Sequence, residues 1–355
     1  MALLEKNFHV VIVAPPDEYS SKLKELGCGY FPVQFNNKGK NPFLELRTIF
    51  DYFSIYSSIQ PSLILHYTPK PNIYGSIAAR FLGVACINNV AGLGSAFAKE
   101  GILSLIVKHL YRFSQKSVRR VFFQNKDDMK MFVTSSIVTP QQADLLPGSG
   151  VELEKFSPRE KTPSKEICFL LIARLIWEKG VGEFVDAARL VRSVHPEARF
   201  QILGYIDDKN PGAIPEKTIH GWVSEGLVEW IGRQEDVRPF IAEADCVVLP
   251  SYYREGTPRT LLEAASMAKP LIAADSIGCR EPVDDGVNGF LCRPRDPADL
   301  ASKMNSIIEM GSAKRQFMGR QGRIKMEVEY DSAIVTQRYV EAISSLFHDL
   351  DRTQH

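Results

Sequence analysis

Short apolar runs rich in β-branched residues, each closed by turn formers, alternate along the chain with stretches whose apolar residues recur every three or four positions. The first kind reads as buried strand and the second as amphipathic helix, and their regular alternation is the pattern of a parallel α/β protein. In the first half the strands fall at 9–14, 30–35, 63–67, 85–89, 121–124 and 144–146. In the second half they fall at 167–173, 199–203, 228–231, 246–249, 270–273 and 289–292, separated by helices at 181–194, 238–244, 261–267 and 296–309. Pro147-Gly148-Ser149-Gly150, Ser157-Pro158 and the polar run 159–165 mark a linker between the halves. The final helix, 332–350, is long enough to leave the second half and pack back across the first. The pattern therefore predicts two doubly wound, Rossmann-like domains, 1–155 and 165–331, followed by a crossing helix within 332–355.

Composition narrows the class. A chain of 355 residues suits two domains better than one core. With 45% apolar and 24% charged residues it reads as an ordinary globular protein, and no apolar run approaches the roughly 20 residues of a membrane span. Its opening residues lack the features of a secretory signal, so a cytoplasmic location is expected. The six cysteines form no Cys-x-x-Cys pair and read as reduced core residues. Net charge is +1, yet residues 1–150 hold 16 Lys and Arg against 10 Asp and Glu, leaving 27 against 32 for the remainder. A basic first half facing an anionic surface or pyrophosphate would explain the split; a chance imbalance of solvated side chains would explain it equally.

Candidate chemistry gathers where second-half strands end. The strand 246–249 runs into Pro250-Ser251-Tyr252-Tyr253-Arg254-Glu255-Gly256-Thr257-Pro258 and then a helix. In an open α/β sheet, ligands bind at such carboxyl-end loops. Gly256 allows close approach of the backbone, Pro258 suits a first helical turn, and the N–H groups there attract a phosphate. Glu255 would repel that phosphate, so sugar hydroxyls are its plausible partners. Glu263 follows eight residues on, among apolar neighbours, where a charge needs a hydrogen-bonding partner such as a ribose diol. The plainer alternative makes Glu255 a helix-start charge and Glu263 an exposed helical position. A second strand-end loop, Arg174-Leu175-Ile176-Trp177-Glu178-Lys179-Gly180, offers two cations to clamp a diphosphate and neutralise charge growing on it, although either could be solvated.

Arg174 with Lys179, Glu255 with Glu263, and Glu281 ahead of Asp285-Gly286-Val287-Asn288-Gly289-Phe290 together resemble glycosyltransferase family 4 over almost the whole chain. Asp17-Glu18-Tyr19, Gly92-Leu93-Gly94-Ser95 and 251–258 look closest to bacterial enzymes that add N-acetylgalactosamine to undecaprenyl-diphosphate-linked sugars. The resemblance implies the GT-B fold, two Rossmann-like domains facing a cleft, and a metal-independent, retaining transfer from a UDP-sugar. It also implies no cofactor beyond that donor and no nucleic acid, with a glycan or lipid-linked acceptor as the second partner. By the same resemblance, Glu255, Arg174 and Lys179 are the catalytic candidates. Gly204, Arg233, Gln234, Gly256, Thr257, Pro258 and Glu263 line the nucleotide-sugar pocket, with Gly204 and Arg233 open to reading as a turn and a surface cation.

Three features depart from the family or extend it. Many members carry a His after the strand equivalent to 85–89, where this chain has Asn88-Asn89; His66, on a neighbouring strand end, reads more readily as structural. Family members open with a strand that is expected to be missing here, residues 2–8 resembling the tail of the helix that follows it. A shortened first domain, and with it a member that only binds nucleotide or acts as a partner subunit, is therefore the alternative expectation. Finally, Lys108, His109, Arg112 and Lys116 lie among the apolar residues of 102–118, either as an ordinary packed helix or as peripheral contact with the inner membrane. A dehydrogenase is disfavoured because no Gly-x-Gly-x-x-Gly follows an early strand.

Overall fold

The computed structural model describes residues 2–33, 42–93, 102–162, 164 and 166–352. Gly94-Ser95 of the motif quoted above and the end of the strand expected at 30–35 lie outside the described residues. The chain divides into two compact units, one formed by residues 1–91, 99–145 and 336–355, the other by 92–98 and 146–335.

The second unit is built on six parallel strands: β7 (Cys168–Ile172), β8 (Arg199–Leu203), β9 (Glu229–Gly232), β10 (Cys246–Leu249), β11 (Leu271–Ala274) and β12 (Gly289–Cys292). Their order is β12-β11-β10-β7-β8-β9, so the chain reverses direction of travel between β7 and β10. That reversal makes the β7/β10 carboxyl edge the point where a doubly wound sheet opens a crevice. Alternate residues of β7 enter opposite cores. Phe169 and Leu171 pack with Phe184, Phe200 and Val248 on one face, while Leu170 and Ile172 pack with Leu249, Leu262 and Ala273 on the other. Every residue of β7 and β10 is buried, which is why these strands read as continuous apolar runs rather than alternating ones.

The linker expected at 147–165 divides differently in space. Val151 bridges Asp331, Phe156 joins a core cluster of the second unit, and Arg323 donates to the carbonyls of Leu153 and Phe156. These contacts bind residues 146–158 to the second unit, so the division falls ten residues ahead of the expected one. The turn formers signal a change of direction, but the burial of Val151 and Phe156 decides ownership. Two helices, Glu216–Ser224 and Gly311–Lys325, escaped the periodicity reading. The second is so polar that it shows little apolar stripe; it buries Met318 in a core cluster and brings Gly319 and Gly322 against Ala268 and Ala265.

In the first unit β3 (Leu63–Tyr67), β4 (Ala85–Val90), β5 (Arg120–Phe123) and β6 (Ala143–Leu145) form a parallel sheet in sequential order. β1 (Val11–Ala14) and β2 (Gly29–Pro32) form a separate parallel pair. The strand expected at 9–14 thus pairs with its successor, and among the described residues nothing joins the pair to the four-stranded sheet. The last helix, Ser332–Arg352, sends Tyr339 onto the carboxyl ends of this sheet. Its hydroxyl accepts a hydrogen bond from Asn89 at 2.7 Å, and its ring meets Phe122 edge-on at 4.9 Å between centroids.

His66 lies in the same sheet, fully enclosed in a polar network. Its ring nitrogens sit 2.9 Å from the Tyr56 hydroxyl and 2.8 Å from Asn88 Oδ1, and Asn88 continues the network to Ser76, Gln115 and the Asn72 carbonyl. This is the structural role expected of a strand-end His. Burial pushes its pKa down to about 4, against the opposing pull of the Asn88 bond. The folded value therefore lies below the unfolded value of 6.5. Above the latter both states are neutral; as pH falls between the two, the unfolded chain takes up a proton that the folded one refuses. Stability is expected to decline across that window by up to about 1.4 kcal/mol per pH unit. Urea denaturation of the protein and of His66→Gln at pH 7 and pH 5 checks this, the variant showing the shallower decline.

Candidate donor-substrate site

Two strand-end loops of the second unit are welded together by backbone contacts. After β7, Trp177–Lys179 makes one 3-10 turn and Gly180, in the left-handed region at φ +75°, opens the helix Val181–Arg192. A Cβ on Gly180 would overlap the Pro250 carbonyl, so glycine is required both for the turn and for this approach. In return the Glu178 carbonyl accepts the N–H groups of Tyr252 and Tyr253, each at 3.0 Å. The loop after β7 is fixed on its other side too: Leu175 N–H donates to Tyr205 and Trp177 N–H to Gly212, both at 2.9 Å.

This frame brings Lys179 and Glu255 together. Lys179 Nζ pairs with Glu255 Oε1 although 76 positions separate them, and both side chains are largely shielded, at 12% and 14% exposure. The Ser251 hydroxyl lies 3.1 Å from the same carboxylate oxygen and 3.2 Å from the Glu178 carbonyl, so it donates to one or the other. Ser251 itself is buried, and its carbonyl accepts the Ser276 hydroxyl at 2.7 Å. Gly278, at φ +83°, lies so close that a side chain there would strike the Gly256 carbonyl. Glu255 is thus held by an ammonium and a hydroxyl on a backbone clamped from two sides. Neutralised yet still oriented, it suits the reading of hydroxyls on an uncharged sugar.

Thr257 is buried, Pro258 caps the helix Arg259–Ser266, and the first N–H groups of that helix are the kind that attract a phosphate. Glu263 is 9% exposed, which removes its reading as a solvated helical position. Burial pushes its carboxyl up, opposed by Arg259, whose guanidinium lies 3.4 Å away. A buried carboxylate with Arg259 beside it on one side keeps acceptor capacity for a ligand diol.

Arg174, on the same loop as Lys179, extends to Asp207 with Nη1 3.3 Å from Oδ2. Gly204 follows β8 beneath it; its N–H donates to the Gly232 carbonyl and its carbonyl accepts the Trp230 indole N–H, each at 3.0 Å. Arg233 stands 5.7 Å from the centroid of the exposed Tyr205 ring, and Gln234 makes only a long 3.5 Å bond to the Ile231 carbonyl. The structure therefore joins Lys179 to Glu255 directly, sets Gly256, Thr257 and Pro258 beside them, and places Gly204, Arg233 and Gln234 on the adjoining β8 and β9 ends. Glu281 follows β11: its carbonyl accepts the Tyr330 hydroxyl, and in the turn ahead of β12 Asn288 accepts the Asp284 N–H and donates to the Pro282 carbonyl.

Ser251, Asp207 and Tyr205 were missed at the level of sequence. Ser251 sat inside the quoted motif and its conjunction with Glu255 four residues on was the available signal. Nothing in the sequence pairs Asp207 with Arg174 across 33 positions.

Known proteins extend these observations to the whole chain. The family described as "Glycosyl transferases group 1" matches residues 166–310, and "Glycosyl transferase 4-like" matches residues 1–125. The chain is 26% identical over 357 residues to the N,N'-diacetylbacillosaminyl-diphospho-undecaprenol alpha-1,3-N-acetylgalactosaminyltransferase of Campylobacter jejuni, covering 96% of this chain and 92% of that protein. In fold it is similar to a glycosyltransferase from Rickettsia africae, with TM-score 0.78, 16% identity and coverage of 97% and 92%. It is similar as well to Anabaena HepE solved in complex with UDP-glucose, with TM-score 0.76, 19% identity and coverage of 94% and 91%. With both units matched, the GT-B arrangement of parallel sheets and a relative aligned nearly end to end, the chain belongs to glycosyltransferase family 4 and is a glycosyltransferase.

Proposed function

We propose that this enzyme is a retaining transferase that moves a hexose or N-acetylhexosamine from a UDP-sugar to a lipid-linked glycan acceptor in bacterial surface glycan assembly. The observation that carries the proposal is the Lys179–Glu255 pair, fixed at the β7/β10 crevice beside a helix start. Lys179 and Arg174 hold the diphosphate, Glu255 reads the sugar, Gly256, Thr257 and Pro258 bound the pocket, and Glu263 takes the ribose diol. Gly204, Arg233 and Gln234 border the nucleotide. The second unit is the donor half, and the first, with the last helix upon it, is the acceptor side.

In the transfer the bond from the anomeric carbon to the diphosphate oxygen breaks, and the acceptor hydroxyl oxygen bonds to that carbon. Its proton passes to the departing diphosphate, whose growing charge Lys179 and Arg174 offset. Glu255 contributes position and field rather than a covalent step. The UDP-glucose of the HepE complex and the undecaprenol-linked substrate in the Campylobacter enzyme's name support the choice of partners. The deciding measurement is release of UDP from a panel of UDP-sugars, with and without undecaprenyl-diphosphate-linked saccharide. Acceptor-dependent release from at least one donor is expected. UDP binding without turnover would favour instead the nucleotide-binding or partner-subunit reading, which draws on the divided sheet of the first unit.

A lipid-linked acceptor places the enzyme on the cytoplasmic membrane face. No helix among the described residues is long and apolar enough to cross a membrane, and we read the contact as peripheral. The helix Ile102–Ser114 supports it: it holds no acidic residue and exposes Leu105, Ile106 and Phe113 beside Arg112, with Lys116 just beyond. Co-sedimentation with phosphatidylglycerol vesicles should fall when Lys108 and Lys116 are replaced by Ala; unchanged binding would remove this helix from the membrane face.

A further inference from the structure

We propose that Asp207 is a built-in competitor of the donor diphosphate for Arg174, and so tunes how tightly the nucleotide is held before and after transfer. The proposal rests on the reading of Arg174 as a diphosphate clamp.

Asp207 Oδ2 lies 3.3 Å from Arg174 Nη1, with the two side chains 27% and 39% exposed. The pair is pre-registered rather than a chance meeting of two mobile chains. The strands that deliver it are direct neighbours, with Ile172 opposite Leu203. Beyond them the loops are tied by Leu175 N–H to the Tyr205 carbonyl, Ile214 N–H to the Leu175 carbonyl, and a bridge from Ile176 to Ala213. Asp207 is ordered in turn, since its carbonyl accepts Asn210 N–H and Asn210 Oδ1 accepts Gly212 N–H.

A carboxylate presents a guanidinium with the same chemistry as a phosphate: a charged group with oxygens to accept its fork of N–H donors. Arg174 must therefore give up Asp207, or share itself, when a diphosphate arrives. Once released, the Asp207 carboxylate stands near an anion and repels it. Both effects loosen the nucleotide. Glu255 stands differently towards Lys179, because its own task is the sugar, whereas the Asp207 carboxylate meets Arg174 alone among the ion pairs of the described residues. The balance favours turnover: a transferase must let its diphosphate product go, and a carboxylate that reclaims the arginine assists departure.

Because the pair is half exposed, the effect is modest. Exposed ion pairs measured singly correspond to a change of about two- to five-fold in an equilibrium. The test is calorimetric titration of UDP, inorganic pyrophosphate and uridine into the wild-type protein, D207N, R174A and the double variant at low ionic strength. D207N should tighten UDP and pyrophosphate by about two- to five-fold and leave uridine unchanged. R174A should weaken UDP, and in its background D207N should add nothing. Unchanged or weaker UDP binding by D207N, with R174A still impaired, would overturn the proposal, since Asp207 would then merely hold Arg174 in place. Tightening by D207N that persists without Arg174 would overturn it as well, as a general charge effect. If R174A binds UDP as the wild type does, the clamp reading itself fails and takes the proposal with it.

Discussion

Glu255→Gln is expected to lower kcat for sugar transfer by about 10²- to 10³-fold while leaving UDP affinity within a few-fold of wild type. The substitution keeps the shape and one acceptor oxygen but removes the charge that Lys179 and Ser251 hold in place. A group that acts on the sugar and on charge developing at the anomeric centre should register in kcat with the complete donor. UDP carries no sugar, so its binding is largely blind to the change. Steady-state rates with the best UDP-sugar, paired with UDP titration, separate the two. Near-wild-type turnover would mean that Glu255 serves only as the counter-ion of Lys179.

Gly204→Ala should damage both stability and donor binding. The added methyl carbon would overlap the Ala173 carbonyl, and that part of the chain has little freedom to move. Gly204 is tied through its N–H to Gly232 and through its carbonyl to Trp230. Overpacking of this kind costs about 1–3 kcal/mol, a fall of about 5 °C in melting temperature for a unit of this size. Gly221→Ala is the internal comparison. It lies inside the helix Glu216–Ser224 with nothing near its would-be side chain, so alanine there should be neutral or stabilising. Equal melting temperatures for the two variants would show that the close approach to Ala173 is tolerated.

The contrast between these glycines shows where sequence reading runs out. Strands β3, β8, β10 and β12 were legible to the residue because both of their faces or their turn-bounded ends leave an unmistakable apolar run. The loops after β7, β8 and β10 are then the candidate site, since topology puts ligands at carboxyl edges. Gly204 read as a residue bordering the nucleotide, with a plain turn as the alternative; its backbone φ is not in the left-handed region, and a Cβ there would meet the Ala173 carbonyl, a proximity that leaves no trace in local pattern. The partners of Glu255 were hidden for the same reason. Glu263 lay within a recognisable motif, but only the packing around it distinguished a buried carboxylate from a solvated one. The helix Gly311–Lys325 was invisible for the opposite reason: its buried residues are Met318, Gly319 and Gly322, one apolar side chain and two glycines, too few for apolar periodicity to report.

Lys179 and Glu255 follow strands that pair in parallel at the middle of a six-stranded sheet, 76 positions apart in sequence, and the loops that carry them bond to each other only once those strands are paired. Parallel pairs of this separation carry a large chain-closure entropy and form slowly, after local helices have had time to appear and dissolve. The pocket proposed for the donor is therefore expected to form late, together with the sheet itself. On the proposed reading, nucleotide binding by the second unit is expected to report assembly of its whole sheet rather than of either loop alone.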